Sequence, residues 1–98
     1  MTKKIDDTLA RISYFEAKLL KCNTVHAQMR KALDDFSLIQ EDVNELACYY
    51  SGQDWRYDFE KDEQGLIPKE IRRGILSEDG IYSMLDENRE LKELLGIR

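Results

Sequence analysis

Five carboxylates, Asp54, Asp58, Glu60, Asp62 and Glu63, fall within ten consecutive positions and form the densest set of side chains that could do chemistry. Asp58-x-Glu60-x-Asp62 has the spacing that opens a calcium loop. The sixth loop position, which needs glycine for its sharp turn, is Glu63, and the twelfth, which needs a bidentate glutamate, is Lys69. Asp58 and Asp62 stand four apart, so they share a helix face and have the residue types of an acid–base pair. That chemistry also needs a cleft and one raised pKa, and no cleft is suggested. Trp55 and Phe59, also four apart, set the segment on a helix, which aims its acids in different directions. The lone histidine, His26, lies one helical turn after Cys22, so an imidazole could activate a thiol there. On an apolar stripe, however, that thiol is a poor nucleophile, and the imidazole reads as a packing residue or a polar break that fixes register. Lys69, Arg72 and Arg73 form a small basic patch, too small for a nucleic-acid footprint and suited to pair with the nearby acids. No catalytic, cofactor-binding or metal-binding residue is assigned, and an enzyme is not expected.

Composition narrows the partners. The chain has 98 residues, 36% of them charged, with 20 acids against 15 bases for a net charge of −5. Nucleic-acid and membrane-surface binding both call for a basic footprint, so neither is expected. Two cysteines, Cys22 and Cys48, without a CxxC read as reduced, partly buried thiols rather than a disulfide framework. Met1-Thr2-Lys3-Lys4 leads into mixed sequence with no apolar run of a leader's length, so a cytoplasmic protein is expected.

The elements that must position these residues are helices. Residues 2–50 contain neither Gly nor Pro, and apolar residues recur at steps of three or four from Ile5 to Tyr50. This reads as one long helix, with Thr2 as a plausible N-cap and Asn23-Thr24 as its weakest point. The mean step is near 3.5, but Asn23, His26 and Gln28 thin the stripe while Leu20 and its neighbours widen it. A wide stripe suits packing against more than one helix better than a strict two-stranded coiled coil.

From Ser51 the pattern changes. Residues 51–76 read as an elbow of short helices: one around Trp55 and Phe59 capped by Ser51 or Asp54, a stop at Gly65, and a second begun by Pro68 with Ile71 inward and Gly74 closing it. Ile75-Leu76 is a brief extended link. Ser77 caps a last helix over 77–96, with Ile81, Met84, Leu85, Leu91, Leu94 and Leu95 as its stripe. No period-two alternation suggests a strand. The elbow returns the last helix antiparallel along the C-terminal part of the first, too short to cover its N-terminal half.

The run Tyr49-Tyr50-Ser51-Gly52, with Trp55, Asp58-Phe59, Asp62-Glu63, Gly65-Leu66, Pro68-Lys69, Arg73-Gly74 and Leu76-Ser77-Glu78-Asp79, resembles the bacterial domain of unknown function family 4298. The likeness is specific over about residues 49–91 and is a shared helical period before that. It implies a small, soluble, helical bacterial protein and carries over no catalytic residue.

The expectation is therefore a single all-α domain over 1–98: a long helix, an elbow and a helix folded back. The N-terminal half of the long helix stays apolar and uncovered in a monomer, so a homodimer through the long helices is expected. The function expected is a non-enzymatic interaction or self-association module. Its candidate surface for an unidentified protein partner is Trp55, Tyr57, Asp58, Asp62, Lys69, Arg72 and Arg73. The alternatives are a small metal-dependent or hydrolytic enzyme using the acidic elbow, or an acidic regulator of a basic partner.

Overall fold

The computed structural model describes residues 2–97, and side chains from Lys4 onward. The protein is all-α, with no strand among the described residues. Helix α1 spans Thr2–Leu38, α2 spans Gln40–Ser51, α3 spans Gln53–Glu63 and α4 spans Glu78–Leu94, with a 3-10 turn at Gly74–Leu76. The chain divides into two compact units, residues 1–38 and residues 39–98.

The first unit is α1 alone. Its 37 residues rise about 55 Å at 1.5 Å per residue. The cap expected at Thr2 rests on a side chain outside those described. The helix runs unbroken through Asn23-Thr24, where Thr24 Oγ1 donates to Leu20 O at 2.8 Å. The single interruption within 2–50 falls instead at Ile39, whose φ of −77° and ψ of −5° leave the regular helical ladder. Ile39 O then accepts from Val43 N at 2.9 Å, and Glu41 and Asp42 occupy the first turn of α2, at the positive end of its dipole.

The second unit builds a small core. Val43 from α2, Trp55 from α3, Leu76 from the 3-10 turn and Ile81 from α4 are its buried side chains. Helix α4 packs against both α2 and the 3-10 turn. Its direction along α2 is antiparallel: Gln40 at the start of α2 meets Asn88 in the second half of α4. Gln40 Nε2 donates to Asn88 Oδ1 at 3.0 Å, and Asn88 Nδ2 donates back to Gln40 Oε1 at 3.1 Å.

The helix stop expected at Gly65 forms. At Gly65, with φ of +74°, Leu66 N donates to Lys61 O and Gly65 N to Asp62 O, the two bonds of a Schellman cap. Gly96, at φ +70°, repeats the pattern, with Ile97 N on Lys92 O and Gly96 N on Glu93 O. Ser77 caps α4 as expected, its Oγ accepting from Gly80 N at 3.2 Å.

Several local readings of the elbow are corrected. Ser51 and Asp54 do not cap α3: Gly52 occupies that position without a side-chain bond, and Ser51 Oγ points back to Ala47 O at 3.0 Å. Pro68 does not begin a helix. It closes one turn, with Ile71 N donating to Pro68 O at 3.1 Å, after which the chain leaves helical geometry. Ile71 consequently faces solvent, and Gly74–Leu76 winds into a 3-10 turn where an extended link was expected. Cys22 and Cys48 are both free, and both are exposed rather than partly buried. Of the last stripe, Ile81 is buried and Met84 and Leu85 are half-buried, while Leu94 stands almost wholly in solvent.

Candidate functional site

The elbow is held by polar bonds that converge from three directions. Trp55 stacks on Phe59 at 5.1 Å between ring centroids and meets Tyr50 edge-on at 5.0 Å. Its indole Nε1 donates to Ile75 O at 2.9 Å, tying α3 to the 3-10 turn. That bond satisfies the one polar atom of a buried indole. Trp55 is thus a core residue and not part of an accessible surface.

Two of the five clustered acids are committed to partners. Asp58, half-buried, accepts from Tyr49 Oη at 2.5 Å, joining α3 to α2. Loss of water around the phenol, reinforced by its bond to Asp58 and by the charges of Asp58 and Asp54, pushes the Tyr49 pKa up to about 12. Asp62 pairs with Arg73 at 3.1 Å, and the same guanidinium nitrogen reaches Ile67 O at 3.4 Å, so Arg73 staples the loop after Gly65 to α3. Asp54, Glu60 and Glu63 are exposed. Asp58 and Asp62 therefore turn toward different partners, and the helix that carries them does not converge them on one point.

The remaining members of the expected surface lie outside. Tyr57 is exposed, with Lys61 Nζ 5.0 Å from its ring centroid, and Lys69 and Arg72 are exposed. Of the three basic residues, Arg73 is the one that forms an intramolecular ion pair among those described. The seven residues singled out thus divide into four that hold the elbow together (Trp55, Asp58, Asp62, Arg73) and three that face solvent.

On α1, Cys22 and His26 sit with Lys18, Lys21 and Val25 along a shallow open groove. Among the described residues, no three His, Cys, Asp or Glu side chains come close enough to hold a metal ion, and no helix is long and apolar enough to cross a membrane.

Sequence reasoning missed two contacts and one helix break that set this geometry. The Gln40–Asn88 amide pair and the Tyr49–Asp58 bond join residues whose types are common on helix surfaces, so nothing in the sequence marks them. The break at Ile39 did have a signal, since Ser37 is a cap-favouring residue and Glu41-Asp42 suits a first turn.

Neither the curated proteins nor the solved structures contain a match to this chain. A family model does match, and more widely than the motif run at 49–91, since it takes in most of α1 as well. Over residues 12–95 the match is to the family described as Domain of unknown function (DUF4298), and the chain belongs to that family.

Proposed function

We propose that this protein is a non-enzymatic self-association module that pairs through α1 and can present its elbow to a further protein. The observation that carries this reading is the exposure of the apolar series of α1: Ile5 59%, Leu9 58%, Ile12 53%, Phe15 58%, Leu19 54% and Met29 57%. Single exposed apolar residues are ordinary, but a continuous row along one helix face is a feature that monomers avoid. Covering that row with a like helix removes it from water on both chains. The free, exposed thiols of Cys22 and Cys48 fit a reducing compartment, which supports a cytoplasmic setting.

Elbow chemistry supports interaction over catalysis. Its half-buried acids are occupied by Tyr49 and Arg73, and the residues it leaves in solvent include Tyr57, Lys69 and Arg72, residue types that anchor protein contacts. Sedimentation velocity at tens of micromolar tests the reading. A dimer is expected, and a monomer across that range would remove the reading.

A further inference from the structure

Confined to the limits of α1, the apolar series falls into a single heptad frame. With Ile5 taken as a, the a positions are Ile5, Ile12, Leu19, His26 and Leu33. The d positions are Thr8, Phe15, Cys22, Met29 and Phe36. Eight of these ten positions are apolar, Thr8 and His26 being the exceptions, and apolar a and d residues held at one phase are the pattern of a coiled coil. The frame does not extend past α1, since the next a and d positions belong to the second unit. Gln40 is bonded to Asn88 there, and Val43 is buried in its core. Leu20, at b, and Tyr14, at c beneath Lys18 Nζ at 4.7 Å, lie off the seam.

We infer that the a/d face of α1 takes a second copy of this chain in parallel and in register, with Cys22 opposite Cys22 and His26 opposite His26. The inference rests on the self-association reading above and specifies its direction and register. Two observations favour parallel pairing over the antiparallel arrangement of equal overlap.

The first is the polar layer. In register, each imidazole faces another, and a neutral imidazole has one donor and one acceptor, so the two can share a hydrogen bond across the seam. The antiparallel alternative sets His26 against Phe15 and Cys22 against Leu19, leaving a buried imidazole with no polar partner from the facing helix. A single polar a layer in mid-helix is also the known device for fixing register.

The second is flanking charge. Parallel pairing brings each g residue to the following e residue of the other chain. Arg11 then meets Glu16, twice by symmetry, while Lys4 meets Leu9, Lys18 meets Asn23 and Val25 meets Arg30. Antiparallel pairing puts Arg11 by Ala32, Lys18 by Val25 and Glu16 by Asn23, with no opposite charges joined. Size is sufficient, since half-exposed side chains over five heptads withdraw on the order of 800 Å² per chain, the area of a standard stable interface.

Thiol cross-linking of the full chain tests direction and register. A Cys48→Ser chain keeps Cys22 as its one thiol. Two facing d positions lie within the roughly 4.4–6.8 Å Cα separation that a disulfide spans. On treatment with diamide, which takes up the two hydrogens, Cys22 should form a disulfide-linked dimer. It should do so roughly tenfold faster or more than Cys48 does in a Cys22→Ser chain, because the pair supplies a millimolar effective concentration against micromolar free chain. Adding Leu19→Asp should abolish that advantage. A mixture of the Cys48→Ser chain with a chain carrying Leu19→Cys, Cys22→Ser and Cys48→Ser reads the opposite direction. A dimer by sedimentation that cross-links 19 to 22 and not 22 to 22 overturns the parallel assignment and leaves self-association standing. A monomer by sedimentation overturns both.

Discussion

Helix α1 and the unit formed by residues 39–98 use the same apolar spacing to opposite ends. In α1 no described side chain is buried, and only Thr8 and Phe36 reach intermediate exposure. In the second unit, the buried core positions among the described residues are Val43, Trp55, Leu76 and Ile81, one from each of its three helices and one from the 3-10 turn. Periodicity thus identifies a helix with a wet and a dry side, and leaves open what makes the dry side dry. Charge separates the two regions as well. Residues 2–38 hold seven bases and five acids, while residues 39–98 hold eight bases and fifteen acids. A helix near neutrality can meet its own copy without strong repulsion, whereas the acidic unit repels its like. The division of charge therefore favours pairing at α1 over pairing at the elbow.

The largest expected effect lies in the second unit. Trp55→Ala removes the biggest buried side chain, two ring contacts and the bond to Ile75 O, and should destabilise that unit by about 3–5 kcal/mol. A core this small has little reserve, so chemical denaturation should find residues 39–98 largely unfolded. A stable Trp55→Ala chain would mean that the indole is dispensable and that the contrast between the two regions has been drawn too sharply.

The next effect belongs to α1 and leaves the second unit alone. Leu19→Asp buries an unpaired carboxylate on each side of the proposed seam, at about 3 kcal/mol or more, which is over a hundredfold in dimer dissociation constant. Leu20→Asp, one residue on and 68% exposed, should change it little. Equal responses from these adjacent leucines in sedimentation equilibrium would show that the a/d face is not the contact.

How far the sequence disclosed this molecule can be read from particular residues. Ser77, Gly65 and Gly96 were legible because caps and left-handed stops depend on one residue's own chemistry. Trp55 and Phe59 were legible as a helix face for the same local reason. The Pro68 turn was misread, because whether one turn propagates depends on packing that Ile71 does not supply. Candidate surface residues were half legible. Arg73 opposite Asp62 followed from charge and proximity, but Trp55 was offered as surface although its indole is tied to Ile75 O, twenty residues away. Pairings such as Gln40 with Asn88 carry no one-dimensional signature at all.

Gly65→Ala tests the local kind of legibility. Its φ of +74° lies where a Cβ is strained, while nothing lies within 4 Å of the added atom. The cost is therefore backbone strain alone, about 1–2 kcal/mol. It should appear as a lowered denaturation midpoint of the second unit with dimerisation unchanged. A neutral result would show that the helix stop at Gly65 is enforced by the Arg73–Asp62 staple and not by the glycine.

The smallest effect sharpens the comparison through pH. Tyr49 titrates at about 12 in the folded unit against an ordinary value of 10.0, so between these values the folded state holds a proton that the unfolded state has released. Stability from this group is complete below pH 10 and is lost as pH rises toward about 12. Tyr49→Phe removes that dependence together with the bond to Asp58, itself worth about 1 kcal/mol net. Denaturation of the two chains across this window should therefore converge as the pH rises, the native chain losing its advantage while other titrations act on both alike. Because Tyr49 and Asp58 both lie in residues 39–98, the Leu19→Asp monomer should show the same convergence as the parent chain. If it does not, the stability of the acidic unit depends on the pairing of α1.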